Sequence, residues 1–202
     1  LITVRISIPD KKYKAYLFDC DGTLVDSMPL HYEAWNYGIH AAGVSQDMPE
    51  EYFYQSAGKS LSCVLQDLKE NFGWVLDAQT VDHHKEKYFA ENSGTLVAFP
   101  DVLEHLLHAK KMSIPIAVAS GSARSTVYHA LRAVGLEDLP DAVVSIDDVQ
   151  NGKPAPDTFL RAAHLLQVEP SACLVFEDSI AGIEAAQVCG MDYVLVDAQR
   201  PR

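Results

Sequence analysis

Residues 15–23, Ala15-Tyr16-Leu17-Phe18-Asp19-Cys20-Asp21-Gly22-Thr23, join four consecutive apolar residues to a pair of aspartates and a glycine turn. An apolar run of this length without polar alternation suits a strand buried on both faces of a parallel sheet. Four further segments of strand length follow at 114–119, 142–145, 173–176 and 193–196. Helix-like stretches at 101–111, 123–134, 157–167 and 180–189 separate them, and Gly135 and Gly190 stand as helix stops. Strand alternating with helix implies right-handed crossovers and a doubly wound, Rossmann-like α/β core with a parallel sheet.

The interval 28–97 breaks that rhythm. It carries helical patterns at 30–42, 50–56, 61–71 and 78–91, holds both tryptophans, Trp35 and Trp74, and lacks a buried strand. The expected organisation is an α/β core from residues 1–27 and 98–202, with a helical cap, 28–97, inserted after the first core strand. The plainer alternative is extra helices packed on the sheet without independent motion. Before the core, Ile2, Val4, Ile6 and Ile8 alternate with other residues and read as a half-exposed extra strand ended by Pro9.

At 202 residues the chain is long enough for one domain with a sizeable insertion, and 48% hydrophobic with 22% charged residues is ordinary globular composition. Sixteen Lys and Arg against 28 Asp and Glu give a formal charge of −12, the wrong sign for a nucleic-acid surface or an acidic membrane leaflet. The cysteines, Cys20, Cys63, Cys173 and Cys189, show no CxxC pairing, which points to reduced thiols and a cytoplasmic, unexported protein. Monomer is the default expectation.

In an open parallel sheet, ligands bind outside the carboxyl ends of the strands. The residues following the strands are Asp19 to Thr23, then Ser120, Gly121 and Ser122, then Lys153 between Gly152 and Pro154, and finally Glu177 and Asp178. Asp19 and Asp21 lie two apart, so an extended segment presents both carboxylates to one reacting group. A nearby cation keeps one ionised while the like charge favours a proton on the other, dividing the pair into nucleophile and acid. Thr23 offers a hydroxyl and an amide to a phosphate oxygen, and Ser120, Gly121 and Ser122, preceding a helix, form an anion site. Glu177 and Asp178 with Asp19 supply hard oxygen ligands suited to Mg²⁺ rather than Zn²⁺.

Each signal has a plainer reading: a solvated turn for the DxDGT string, a surface lysine for Lys153, and helix capping for Glu177 and Asp178. Adjacent His83 and His84 point about 100° apart on a helix and read as surface residues rather than joint ligands.

The ordered strings FDCDGTLVDS (18–27), VASGS (118–122), GKPAPD (152–157) and FEDSIAG (176–182) resemble the four signatures of the haloacid dehalogenase superfamily. DSMPLHYEAW (26–35) and the placement of the insert resemble its β-phosphoglucomutase-like branch of sugar phosphatases and mutases. The resemblance implies that Asp19 is a nucleophile forming an aspartyl-phosphate and that Asp21 is the acid and then the base. It implies Mg²⁺ on the Asp19 carboxylate, the Asp21 backbone carbonyl and Asp178, with Glu177 in or just outside that shell. Ser120 and Lys153 would grip the transferring phosphoryl oxygens. The dehalogenating branch lacks the second aspartate, so Asp21 favours phosphate chemistry.

Mutases of this branch carry an arginine three residues after a cap-loop glycine, where this chain has Leu61 after Gly58. Leucine cannot make a guanidinium's bidentate phosphate contact, although Lys59 offers a point charge. The expected activity is therefore a phosphatase of small phosphorylated metabolites, above all sugar phosphates, with the cap closing over the cleft. A phosphosugar mutase is the alternative. A non-catalytic binding scaffold is disfavoured because both aspartates are present. Selectivity is expected from cap residues such as Lys59, Tyr32 and Trp35.

Overall fold

The computed structural model describes residues 3–199, and the chain runs β1 (Thr3–Arg5), β2 (Ala15–Phe18), then helices α1 (Met28–Ala41), α2 (Glu50–Gln55), α3 (Leu61–Phe72) and α4 (Ala78–Asn92). After α5 (Pro100–Lys111) come β3 (Ile116–Ala119), α6 (Arg124–Ala133), β4 (Ala142–Val144), α7 (Asp157–Leu165), β5 (Cys173–Glu177), α8 (Ile180–Val188), β6 (Asp192–Leu195) and β7 (Asp197–Gln199). Among the described residues, no helix is long and apolar enough to cross a membrane.

Five strands form one parallel sheet in the order β4-β3-β2-β5-β6. The first core strand is thus the central one, and the chain winds outward from it on both sides. That places the end of β2 at the point where strand order reverses, with the ends of β3 and β5 as its neighbours.

Side-chain alternation sorts the strands into two unlike faces. Tyr16, Phe18, Ile116, Val118, Leu174, Phe176 and Val194 face one cluster with residues of α5 and α6, such as Leu106 and Leu131. The Phe18 and Phe176 rings stack across adjacent strands with centroids 4.5 Å apart. The opposite face is lined by Ala15, Leu17, Ala117, Ala119, Cys173 and Val175, and these mostly small residues pack against Phe159 and Ala162 of α7 and Ala185 and Ala186 of α8. Both faces being covered explains why the strands read as unbroken apolar runs.

The insert divides its apolar residues between two cores. Leu30 and Ala34 of α1 and Phe89 of α4 belong to the larger sheet cluster. Ile39, Met48, Phe53, Val64 and Leu68 form a separate cluster with Trp35 and Trp74 packed against it. Its two connections to the core lie side by side, with Asp26 N–H donating to Val97 O at 2.9 Å and Phe99 N–H to Leu24 O at 3.1 Å.

The N-terminal expectation is corrected in part. The strand covers Thr3–Arg5 and stops before Pro9, and it pairs antiparallel with β7, which the sequence reading did not anticipate. Ile6 and Ile8 keep the alternation, half-buried against the main core without being strand. Ile2 lies outside the described residues.

Replacing Phe176 by Ala removes a fully buried ring from the stack. The expected cost is about 3–5 kcal/mol, read as a lower urea midpoint at unchanged slope. A loss below about 1 kcal/mol would contradict this packing.

Candidate active site

Four loops meet at the carboxyl edge of the sheet, and a buried ion cluster joins three of them. Lys153 Nζ lies 2.5 Å from Asp19 Oδ1, at the end of β2, and 2.7 Å from Glu177 Oε1, at the end of β5. The lysine side chain is 2% exposed, and its ammonium sits 4.7 Å from the centre of the Phe159 ring. Burial alone would lower the lysine pKa, but Asp19 and Glu177 outweigh it and hold the ammonium above its ordinary value.

Glu177 is tied at both oxygens, since Oε2 accepts the Ser179 N–H at 2.6 Å. Capping of α8 falls to Ser179, whose Oγ accepts from the Gly182 N–H at 3.0 Å, so neither Glu177 nor Asp178 is the cap residue. Gly182 is required by contact: a Cβ there would overlap the Glu177 carboxylate. At Gly22, φ is +87°, and a Cβ would overlap Asp178.

Asp21 faces a different set of donors. Its Oδ1 accepts from Ser27 Oγ at 2.7 Å and lies 3.0 Å from His31 Nε2. Its Oδ2 accepts from Ser122 Oγ at 2.7 Å and from Ser120 Oγ at 3.4 Å. The His31 ring is itself stacked on Phe89 at 4.4 Å. Burial raises the Asp21 pKa, but the charge and hydrogen bond of His31 and the bonds from Ser27 and Ser122 win and hold it well below the carboxylate range.

Asp19 is pushed the other way. Burial and the Glu177, Asp178 and Asp21 carboxylates drive it well up against the pull of Lys153. The two aspartates thus sit in opposite electrostatic surroundings, Asp19 buried among carboxylates beside one ammonium and Asp21 among donors. Burial is the larger cause of the rise at Asp19, and the local surplus of carboxylates adds to it. Asp178, buried beside Glu177, is pushed up to about 7.

That surplus bears on a metal. Asp19, Glu177 and Asp178 each present a carboxylate oxygen, all within 4.8 Å of one another. Three carboxylates against one lysine leave a formal charge of −2, which one divalent ion balances, and an all-oxygen donor set fits Mg²⁺.

These groups line a cavity of about 490 Å³ between the sheet edge and the insert. Asp19, Asp21, Ser120, Gly121, Ser122, Lys153, Glu177 and Asp178 all border it, as do Lys59, Leu61 and Trp35 from the insert. Three expectations change. Thr23 does not border the cavity: it is fully buried, and its hydroxyl donates to Asp178 Oδ1 at 3.0 Å, orienting that carboxylate. Tyr32 turns away and donates to Met48 O at 2.8 Å. Lys59 is not a free charge, since Asp67 holds its ammonium at 2.7 Å. Away from the site, His83 is exposed as expected, but His84 is half-buried beside Tyr37.

Sequence reasoning missed Ser27, His31, Lys85 and Glu86. Ser27 and His31 carried a signal, because an i, i+4 pair at the start of a helix presents one face to the loop before it. Lys85 and Glu86 carried none, since the run DHHKEK reads as a solvated helix face. In the fold, Glu86 is bonded to Lys85 and, at its other oxygen, to Thr126 of α6. Burial raises its pKa, but Lys85, Thr126 and His31 prevail and hold it low.

The haloacid dehalogenase-like hydrolase family matches residues 13–190. The fructose-1-phosphate phosphatase YqaB of Escherichia coli K12 is 34% identical over 91% of this chain and 96% of that relative. A phosphorylated carbohydrates phosphatase of Thermotoga maritima is 31% identical over 90% of this chain and 83% of the relative. Among solved structures, a β-phosphoglucomutase from Clostridium difficile superposes with a TM-score of 0.74 at 25% identity, covering 90% of this chain and 83% of that one. The chain belongs to the haloacid dehalogenase-like hydrolases. It is an enzyme, and the Escherichia coli and Thermotoga maritima relatives are both named as phosphatases.

Because Asp178 is raised from 3.8 to about 7, it contributes stability below pH about 4 that is lost as pH rises through about 7, and the raised Asp19 acts in the same direction. The lowered Asp21 acts only below its ordinary value of 3.8 and leaves this window unchanged. If these carboxylates hold a divalent ion, that ion raises Tm more at about pH 8 than at about pH 5, and Gly22→Ala, whose Cβ would overlap Asp178, loses most of that rise. Equal shifts at both pH values would contradict the carboxylate surplus.

Proposed function

We propose that the protein is a Mg²⁺-dependent phosphatase that hydrolyses small sugar phosphates through an aspartyl-phosphate on Asp19. The observation that carries this is the convergence of Asp19, Asp21, Lys153 and the Glu177–Asp178 pair on one cleft roofed by the insert.

In this reading an Asp19 oxygen attacks phosphorus, the new O–P bond forms in line with the breaking ester bond, and the leaving alkoxide takes a proton from Asp21. Water then attacks the aspartyl-phosphate, gives its proton to Asp21, and restores Asp19 with release of inorganic phosphate. A bound phosphate dianion and loss of water from the cleft both raise the pKa of Asp21, which readies it as the acid. Lys153 holds Asp19 at one oxygen, leaving the other for attack, and Lys153 with Ser120 grips the phosphoryl oxygens. Mg²⁺ on Asp19, Asp178, the Asp21 carbonyl and, directly or through water, Glu177 supplies the charge that neutralises the transferring group.

Residues 28–97 act as the cap that excludes bulk water, hinged on the two hydrogen-bonded linking segments around Asp26 and Val97. Leu61 on the cavity wall and the tied-up Lys59 disfavour a mutase, which must hold a second phosphate. We place the enzyme in the cytoplasm, in keeping with four free cysteines, and take it as a monomer by default.

Purified protein with Mg²⁺ releases phosphate from hexose and hexitol phosphates, and Asp19→Asn lowers kcat/KM by about a thousandfold or more. Normal turnover by that variant would remove Asp19 from the nucleophile role. Supplied with β-glucose 1-phosphate and a trace of its bisphosphate, the enzyme liberates phosphate faster than it forms glucose 6-phosphate. The reverse order would establish the mutase.

A further inference from the structure

The insert's side of the cleft carries Asp82, Lys85 and Glu86 of α4 together with Trp35 of α1. Lys85 Nζ is bonded to Glu86 Oε1, lies 3.7 Å from Asp82 Oδ1, and sits 5.8 Å from the Trp35 ring centre. The other insert lysine on the cavity, Lys59, is held by Asp67. Both insert ammonium groups that border the cavity are thus committed to carboxylates, and the α4 group carries one negative charge in excess. Among the described residues, no arginine borders the cavity.

Glu86 sits where this wall meets the core. One oxygen takes Lys85 and the other takes the Thr126 hydroxyl, so the carboxylate is fixed between the insert and α6 of the core. A carboxylate has about four lone-pair sites, and these two bonds leave acceptor capacity for hydroxyl groups inside the cleft. Glu86 is also within electrostatic reach of His31, which touches Asp21. Glu86, His31 and Asp21 border the same cleft.

We propose that Glu86 is the specificity-determining residue of this cleft, accepting hydroxyl hydrogens from a neutral polyol leaving group and repelling a second anionic group. Resting on the phosphatase reading for where the phosphate sits, this makes the preferred substrates monophosphate esters of neutral polyhydroxy compounds. Bisphosphates and phosphorylated carboxylic acids are turned away because their second charge would face Glu86 and Asp82 with no free cation to receive it. Trp35 offers the carbon face of the polyol an apolar surface.

The test compares wild type, Glu86→Gln and Thr126→Val, each with Mg²⁺, on mannitol monophosphate, fructose bisphosphate and p-nitrophenyl phosphate. Wild type favours the monophosphate over the bisphosphate by about tenfold or more in kcat/KM. Glu86→Gln removes one negative charge and leaves Lys85 balanced against Asp82 alone, so the bisphosphate-to-monophosphate ratio rises by about tenfold or more. Thr126→Val cuts the tether but keeps the charge, and its ratio stays within about threefold of wild type. An unchanged ratio in Glu86→Gln, or an equal shift in Thr126→Val, overturns the proposal.

Calorimetric binding of both sugar phosphates to Asp19→Asn, with and without Glu86→Gln, repeats the comparison without turnover. Hydrolysis of p-nitrophenyl phosphate with an unchanged ratio defeats the role of Glu86 and leaves the phosphatase reading intact. Charge-selective binding without phosphate release from any ester does the opposite.

Discussion

A lysine ammonium enclosed between two carboxylates is an expensive object. Lys153, Asp19 and Glu177 are all almost wholly removed from water, and desolvating such a group can cost more than its mutual attraction returns. Well-packed apolar side chains would stabilise the fold at least as well. What the cluster supplies instead is position: it ties the central strand, its neighbour β5 and the loop after β4 to one point. Around it the small residues follow from geometry. Gly182 leaves room for Glu177, and Gly22 leaves room for Asp178.

The two aspartates of the first loop end up in opposite electrostatic surroundings although they are two residues apart. Asp19 looks into the carboxylate cluster, whereas Asp21 looks toward hydroxyls and an imidazole. The sheet edge sets the first environment. The second depends on the insert, because His31 comes from α1. The insert is thus more than a roof: it completes the surroundings of the residue assigned as acid, and through Glu86 and Thr126 it is fastened to the core near the same place.

Much of this was legible from residue order. The core strands announced themselves because burial on both faces leaves no polar positions, and the strand ends carried Asp19, Ser120, Lys153 and Glu177 in view. Contacts that depend on where a separate helix lands were not legible. Thr23 lies in the right loop, yet its hydroxyl serves Asp178, because the turn after Asp21 folds beneath the site. Lys85 and Glu86 look like solvent-facing charges in the sequence and become part of the cavity only because α4 packs along α1 and reaches α6. Strand β7 escaped notice because a three-residue strand has too few positions to show a period.

The most direct measurement is a rapid acid quench during turnover with excess substrate, followed by peptide mapping of the phosphorylated protein. The account predicts an acid-stable, base-labile acyl phosphate on Asp19 that forms and decays at rates able to support turnover. Phosphorylation of a different residue, or turnover with Asp19 unmodified at every quench time that would capture the intermediate, would contradict it.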